Sequence, residues 1–177
     1  MMSLVNKRLA ITLLAALLAV ALAAAAMRSV RRPAPRPPMV EITQVPEVRF
    51  TLLSGESMAA SDLRGKALLV NFWATYCGSC LKEMPQLVET YRKFAPRGHE
   101  LIAVAVRRDE AERVAQVVAA HHLPFKVAMD ADGALAREFG NVRITPSTFV
   151  IDREGRVLKR YIGEPPWSEL HALLERL

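Results

Sequence analysis

Ala67–Trp73 (ALLVNFW) is an apolar run broken only by Asn71, and it leads through Ala74-Thr75-Tyr76 into Cys77-Gly78-Ser79-Cys80. Continuous runs of this kind form strands buried on both faces of a parallel or mixed sheet. After Cys80 the apolar positions Met84, Leu87, Val88, Tyr91 and Ala95 recur at helical spacing, with Pro85 expected to kink the helix. Two cysteines therefore stand where a buried strand gives way to a helix, and they are the only cysteines in the chain. Such a junction restricts the fold to a sheet with helices packed on it.

The remaining pattern agrees with that restriction. Val48–Leu53 reads as a short strand followed by a turn at Ser54–Ser57, and Ser61–Leu63 as a helical turn ending at Gly65. Leu101–Val106 is a buried strand. Asp109–His122 is an amphipathic helix with Asp109 as its N-cap. Phe125–Met129 is a strand and Gly133–Phe139 a helix. Ser147–Ile151 and Arg156–Ile162 form a hairpin across Asp152–Gly155, and Trp167–Leu177 is a closing helix. This order predicts an α/β domain with a central mixed sheet flanked by helices on both faces.

The net charge of +6 invites a nucleic-acid reading, but Lys7, Arg8, Arg28, Arg31, Arg32 and Arg36 account for all of it. The body from Val40 onward is neutral overall, so no basic face for nucleic acid is expected. Lys7-Arg8 precedes an apolar run, Leu9–Met27, that as a helix reaches about 28 Å, against about 30 Å for a bilayer core. Counting basic residues would leave the body in the cytoplasm, because more of them follow the run than precede it. A short basic tail before an early apolar run is nonetheless the shape of an export signal, and arginines directly after it discourage cleavage. The expected organisation is a signal-anchor helix over residues 1–27 (a cleaved signal peptide being the alternative), an Arg/Pro-rich linker over 28–44, and the α/β domain over 45–177. The localisation that follows is a single N-terminal pass in a bacterial inner membrane, with the domain in the periplasm.

A cysteine pair at this spacing has three physical readings: half a zinc site, an inert buried pair, or a redox dithiol. None of His99, His121, His122 and His171 is spaced to complete a zinc site with the cysteines. A disulfide closing so short a loop constrains the unfolded chain little, so it is there for chemistry rather than for stability. At a helix N-terminus the free amides and the helix dipole stabilise a thiolate. Cys77 is then the exposed nucleophile and Cys80 the resolving thiol that releases a mixed disulfide. No metal and no cofactor beyond the Cys77–Cys80 disulfide is called for. A Cu(I)-binding metallochaperone module, using the two thiolates for a soft ion, and a net disulfide oxidase are the alternatives.

Asn71–Cys80 resembles the active-site segment of the thioredoxin superfamily, and within it that of the membrane-anchored, extracytoplasmic TlpA/ResA-type reductases. The likeness runs from about Val45 to the C-terminus and includes Leu63-Arg64-Gly65-Lys66, Pro85, and Ile144-Thr145-Pro146-Ser147-Thr148-Phe149. It implies a thioredoxin-like fold with Pro146 as a cis-proline opposite the cysteines, and with the backbone at Thr145 pairing to an extended client segment. Tyr76 stands where the family more often has Trp and keeps an aromatic platform for the partner. The resemblance further implies a membrane thiol–disulfide electron donor, and clients such as apocytochrome c or copper-assembly factors. Asn71 departs from cytosolic thioredoxins, which carry a titratable aspartate there. Glu83, one turn after Cys80, is the acid that the family pattern would use instead, relaying a proton during release. A solvated first-turn glutamate that merely suits the helix dipole is the other reading of Glu83.

Overall fold

The computed structural model describes residues 4–30 and 38–177. Leu4–Val30 forms helix α1. Among the described residues no helix is long and apolar enough to cross a membrane, so the anchor rests on the amino-acid sequence alone. Residues 31–37 of the expected linker lie outside the described residues.

The second compact unit is Pro38–Leu177. It starts ahead of the expected boundary at Val45 because residues 38–45 are hydrogen-bonded to the body. Val40 N donates to Gly140 O at 2.9 Å, Val157 N to Thr43 O at 2.9 Å, and Val45 N to Gly155 O at 2.8 Å. The Arg/Pro composition of the linker obscures this strap, whose apolar members Ile42 and Val45 pack on the core.

Seven strands form one sheet: β1 Arg49–Leu52, β2 Ser57–Ala59, β3 Ala67–Trp73, β4 His99–Ala105, β5 Lys126–Met129, β6 Ser147–Ile151 and β7 Val157–Ile162. Their order is β2-β1-β5-β4-β3-β6-β7. The β3–β4 and β4–β5 pairs are parallel, and the other four are antiparallel. The helices are α2 Gly78–Phe94, α3 Ala111–Ala120, α4 Ala134–Glu138 and α5 Trp167–Leu174. The mixed sheet is the one expected from the element order.

Alternation along the central strands divides the core in two. Leu69, Trp73 and Val150 pack with Cys80, Met84, Leu87, Val114, Leu170 and Leu174 beneath α2, α3 and α5. Leu68, Val70, Phe72 and Phe149 pack on the other face with Phe50, Leu135 and Phe139. Asn71 falls on the α2 face by the same alternation, and this places its amide under the active-site helix.

Three expectations at element ends are corrected. Ser57 begins β2 instead of ending a turn, because Gly55 at φ +88° reverses the chain and Met58 pairs with Phe50. β4 starts at His99, since its two polar leading residues are buried with partners: a His99 ring nitrogen lies 3.1 Å from Leu174 O, and Lys126 Nζ lies 2.6 Å from Glu100 Oε2. Asp109 is not the N-cap of α3. Glu110 holds that position without a side-chain cap.

Candidate active site

β3 lies inside the sheet between β4 and β6, and beyond its C-terminal residue Trp73 the chain turns through Ala74–Tyr76 into α2. Cys77 is the N-cap of α2, and its Sγ accepts from Cys80 N at 3.2 Å. Ser79 Oγ lies 3.4 Å from the same sulfur. These donors and the start of a 17-residue helix favour negative charge on Cys77 when the pair is reduced. The two cysteines are joined as a disulfide, with Cα atoms 5.2 Å apart. Their environments differ: Cys77 is half-buried, whereas Cys80 is 0 % exposed.

The loop before β6 faces this disulfide. Thr145–Pro146 is a cis peptide bond, and Thr145 O lies 3.6 Å from Cys77 Sγ. Among the described residues neither the N–H nor the C=O of Thr145 takes part in a backbone hydrogen bond. Tyr76, Ile144 and Ile162 are 61 %, 48 % and 50 % exposed. Ile162 joins the same rim because it pairs with Ser147 and the next residue, Gly163, donates to Pro146 O at 2.8 Å.

Under the disulfide lies a polar network in an apolar layer. Asn71 Nδ2 donates to Glu83 Oε1 and to Thr148 Oγ1, both at 3.0 Å. Asn71 and Thr148 are cross-strand partners on β3 and β6. Glu83 is 0 % exposed, which removes its reading as a solvated first-turn glutamate. Burial pushes its carboxyl up to about 7; the Asn71 hydrogen bond opposes that rise and the charge of Glu164 adds to it. Among the described residues Asn71 Oδ1 and Glu83 Oε2 have no hydrogen-bond partner, which leaves one oxygen of Glu83 open, one helical turn from Cys80.

Sequence reasoning missed three members of this site. Thr148 follows from the strand register, which only pairing with β3 reveals. Asp109 accepts from Thr75 N at 2.9 Å, a contact between loops with no sequence signal. Glu164, in the loop after β7, acts on Glu83 through its charge and accepts from Trp167 Nε1 at 2.8 Å.

A dithiol at a strand–helix junction, facing a cis-proline loop on a mixed sheet, defines a thioredoxin-like thiol–disulfide oxidoreductase. The Redoxin family model matches residues 42–175. The thiol-disulfide oxidoreductase ResA of Bacillus thuringiensis subsp. konkukian is 33 % identical over 135 residues, covering 76 % of each chain. The ResA of Bacillus subtilis is also 33 % identical, over 118 residues, covering 67 % of this chain and 65 % of that protein. Among solved structures, a thiol:disulfide interchange protein of the thioredoxin family from Chlorobium tepidum superposes with a TM-score of 0.69 at 26 % identity, covering 77 % and 97 % of the two chains. The chain belongs to the Redoxin family and is of the TlpA/ResA type within the thioredoxin superfamily.

Proposed function

We propose that the protein is an extracytoplasmic reductant of protein disulfides, tethered to a bacterial inner membrane by its N-terminal helix. The asymmetry of the cysteine pair carries this reading: Cys77 is half-buried beside the Thr145 carbonyl, and Cys80 is buried one turn before a carboxyl that burial raises to about 7. The length of the apolar run Leu9–Met27 behind the short basic tail Lys7-Arg8 supports the tether.

In the reduced protein the Cys77 thiolate attacks one sulfur of a client disulfide. A Cys77–client S–S bond forms and the other client sulfur leaves as a thiolate. Cys80 then gives its proton to Glu83 and attacks Cys77 Sγ. The Cys77–Cys80 bond forms, the second client sulfur departs, and two electrons have passed to the client. The backbone of Thr145 pairs with an extended client segment, while Tyr76, Ile144 and Ile162 cover its apolar flanks. No cofactor beyond the dithiol is used. A membrane thiol–disulfide carrier restores the dithiol, since glutathione does not supply reducing power outside the cytoplasm. Cysteines of apocytochrome c and of copper-assembly factors are the proposed clients.

The test is a Cys80→Ser trap in cells, followed by identification of the bound proteins. Mixed disulfides through Cys77 to a membrane donor and to a thiol client are expected. Failure to capture any protein, together with tight Cu(I) binding by the wild type, would overturn the reading in favour of a metallochaperone.

A further inference from the structure

Asp109 lies between β4 and α3, where the local pattern would make it a helix cap, a role that contributes about 1 kcal/mol. Its carboxylate is instead turned toward the active-site turn. Oδ2 accepts from Thr75 N at 2.9 Å, and Oδ1 is hydrogen-bonded to the Thr75 hydroxyl. One side chain therefore holds both the backbone N–H and the side-chain oxygen of Thr75. The rest of the loop is fastened to the same place, with Val106 N donating to Trp73 O at 3.0 Å and Asp109 N to Val106 O at 2.9 Å. Thr75 is the middle residue of the turn that delivers Cys77, and Cys77 N closes that turn on Ala74 O at 3.1 Å.

We propose that Asp109 is a positioning residue for Cys77: by gripping Thr75 at two atoms it fixes the turn that sets the Cys77 sulfur between the start of α2 and the Thr145 carbonyl. Attack on a disulfide requires the incoming sulfur to align with the bond that breaks, and small misplacements of a reacting group cost rate steeply. Asp109 touches neither sulfur and acts through Thr75. The inference needs only exchange at Cys77 and holds whichever way electrons flow, so it stands apart from the proposed direction and clients.

The test measures adduct formation between Cys77 and a small aromatic disulfide, 5,5′-dithiobis(2-nitrobenzoate), in the full chain carrying Cys80→Ser. Asp109→Ala is expected to slow the reaction about tenfold. Asp109→Asn restores it to within about threefold, because the amide accepts from Thr75 N–H through Oδ1 and donates to the hydroxyl through Nδ2. Thr75→Val slows the parent severalfold but adds nothing to Asp109→Ala, the non-additivity expected of two groups acting through one contact. An Asp109→Ala rate equal to the parent's overturns the proposal, as does an Asp109→Asn variant as slow as Asp109→Ala, or effects that simply multiply. Denaturation of each variant reports its folding. If Asp109→Ala does not fold, Thr75→Val alone decides, and an unchanged rate there overturns the proposal. A parent that forms no Cys77 adduct overturns the exchange chemistry itself.

Discussion

Asn71 holds Glu83: an amide on β3 donates across 3.0 Å to a carboxylate on α2, and both side chains are fully buried. The donor cannot take the proton of its partner, so the titrating group of the site sits on the helix rather than the strand. Glu83 stays protonated to about pH 7, so at neutral pH it is ready either to accept or to return a proton.

That position has a stability consequence. Below the ordinary value of 4.5 the carboxyl is protonated whether the chain is folded or not. Between 4.5 and about 7 the unfolded chain releases the proton and the folded chain keeps it, so stability falls as pH rises. Above about 7 the full cost, on the order of 3 kcal/mol, is in place. Glu83→Gln is therefore expected to gain stability over the wild type at about pH 8 and much less at about pH 4, as read by urea denaturation of the oxidised forms. A difference independent of pH would contradict the buried, uncharged carboxyl.

The same variant separates the two exchange steps. Glu83→Gln should form the Cys77 mixed disulfide at nearly the wild-type rate and release it about a hundredfold more slowly near neutral pH, a loss typical of a removed acid–base group. Stopped-flow measurement of both phases with a peptide disulfide checks this. Slowing of mixed-disulfide formation alone would place Glu83 at the attack on the client rather than at release, and equal slowing of the two phases would contradict a role confined to release.

Asn71→Asp sets a second carboxyl against Glu83 in the same buried layer, and two such groups resist sharing a second charge. The midpoint of the pH profile for release should move upward by one unit or more, on the order seen for coupled carboxyls. A midpoint that stays in place would show that Asn71 does not face the titrating group in solution.

The strap over residues 38–45 gives a prediction away from the chemistry. Gly140 has φ +73°, and a Cβ there would overlap the Val40 carbonyl oxygen, whereas Gly65, at φ +84°, has open space around it. Gly65→Ala should cost about 1–2 kcal/mol for the left-handed backbone alone. Gly140→Ala should cost more, since the strap must also shift. Denaturation of the two variants, compared with a chain lacking residues 1–45, checks it. In that shortened chain the two substitutions should become equal in cost.

Much of this was legible in the residues. The ALLVNFW run and the helical spacing from Met84 to Tyr91 placed β3 and α2, with the two cysteines at their junction, because local periodicity determines such elements. The Ile144–Phe149 motif located the proline loop through its likeness to a family. What stayed hidden depended on pairing between distant segments. Asp109 carries an N-cap signal, and only the docking of its loop on Trp73 and Thr75 diverts it. Glu83 reads equally well as solvated or buried until α2 is laid on the Asn71 face of the sheet. Residues 38–44 look like tether by composition, yet their backbone groups find partners at Gly140, Asn141 and Val157.

The equilibrium reduction potential of the Cys77–Cys80 pair, measured against a glutathione or dithiothreitol series, tests the central claim most directly. A reductant of protein disulfides requires a value at or below roughly −230 mV, toward that of thioredoxin at about −270 mV. A value near the −120 mV or so of a strong oxidant such as DsbA would contradict the account and make the protein a donor of disulfides.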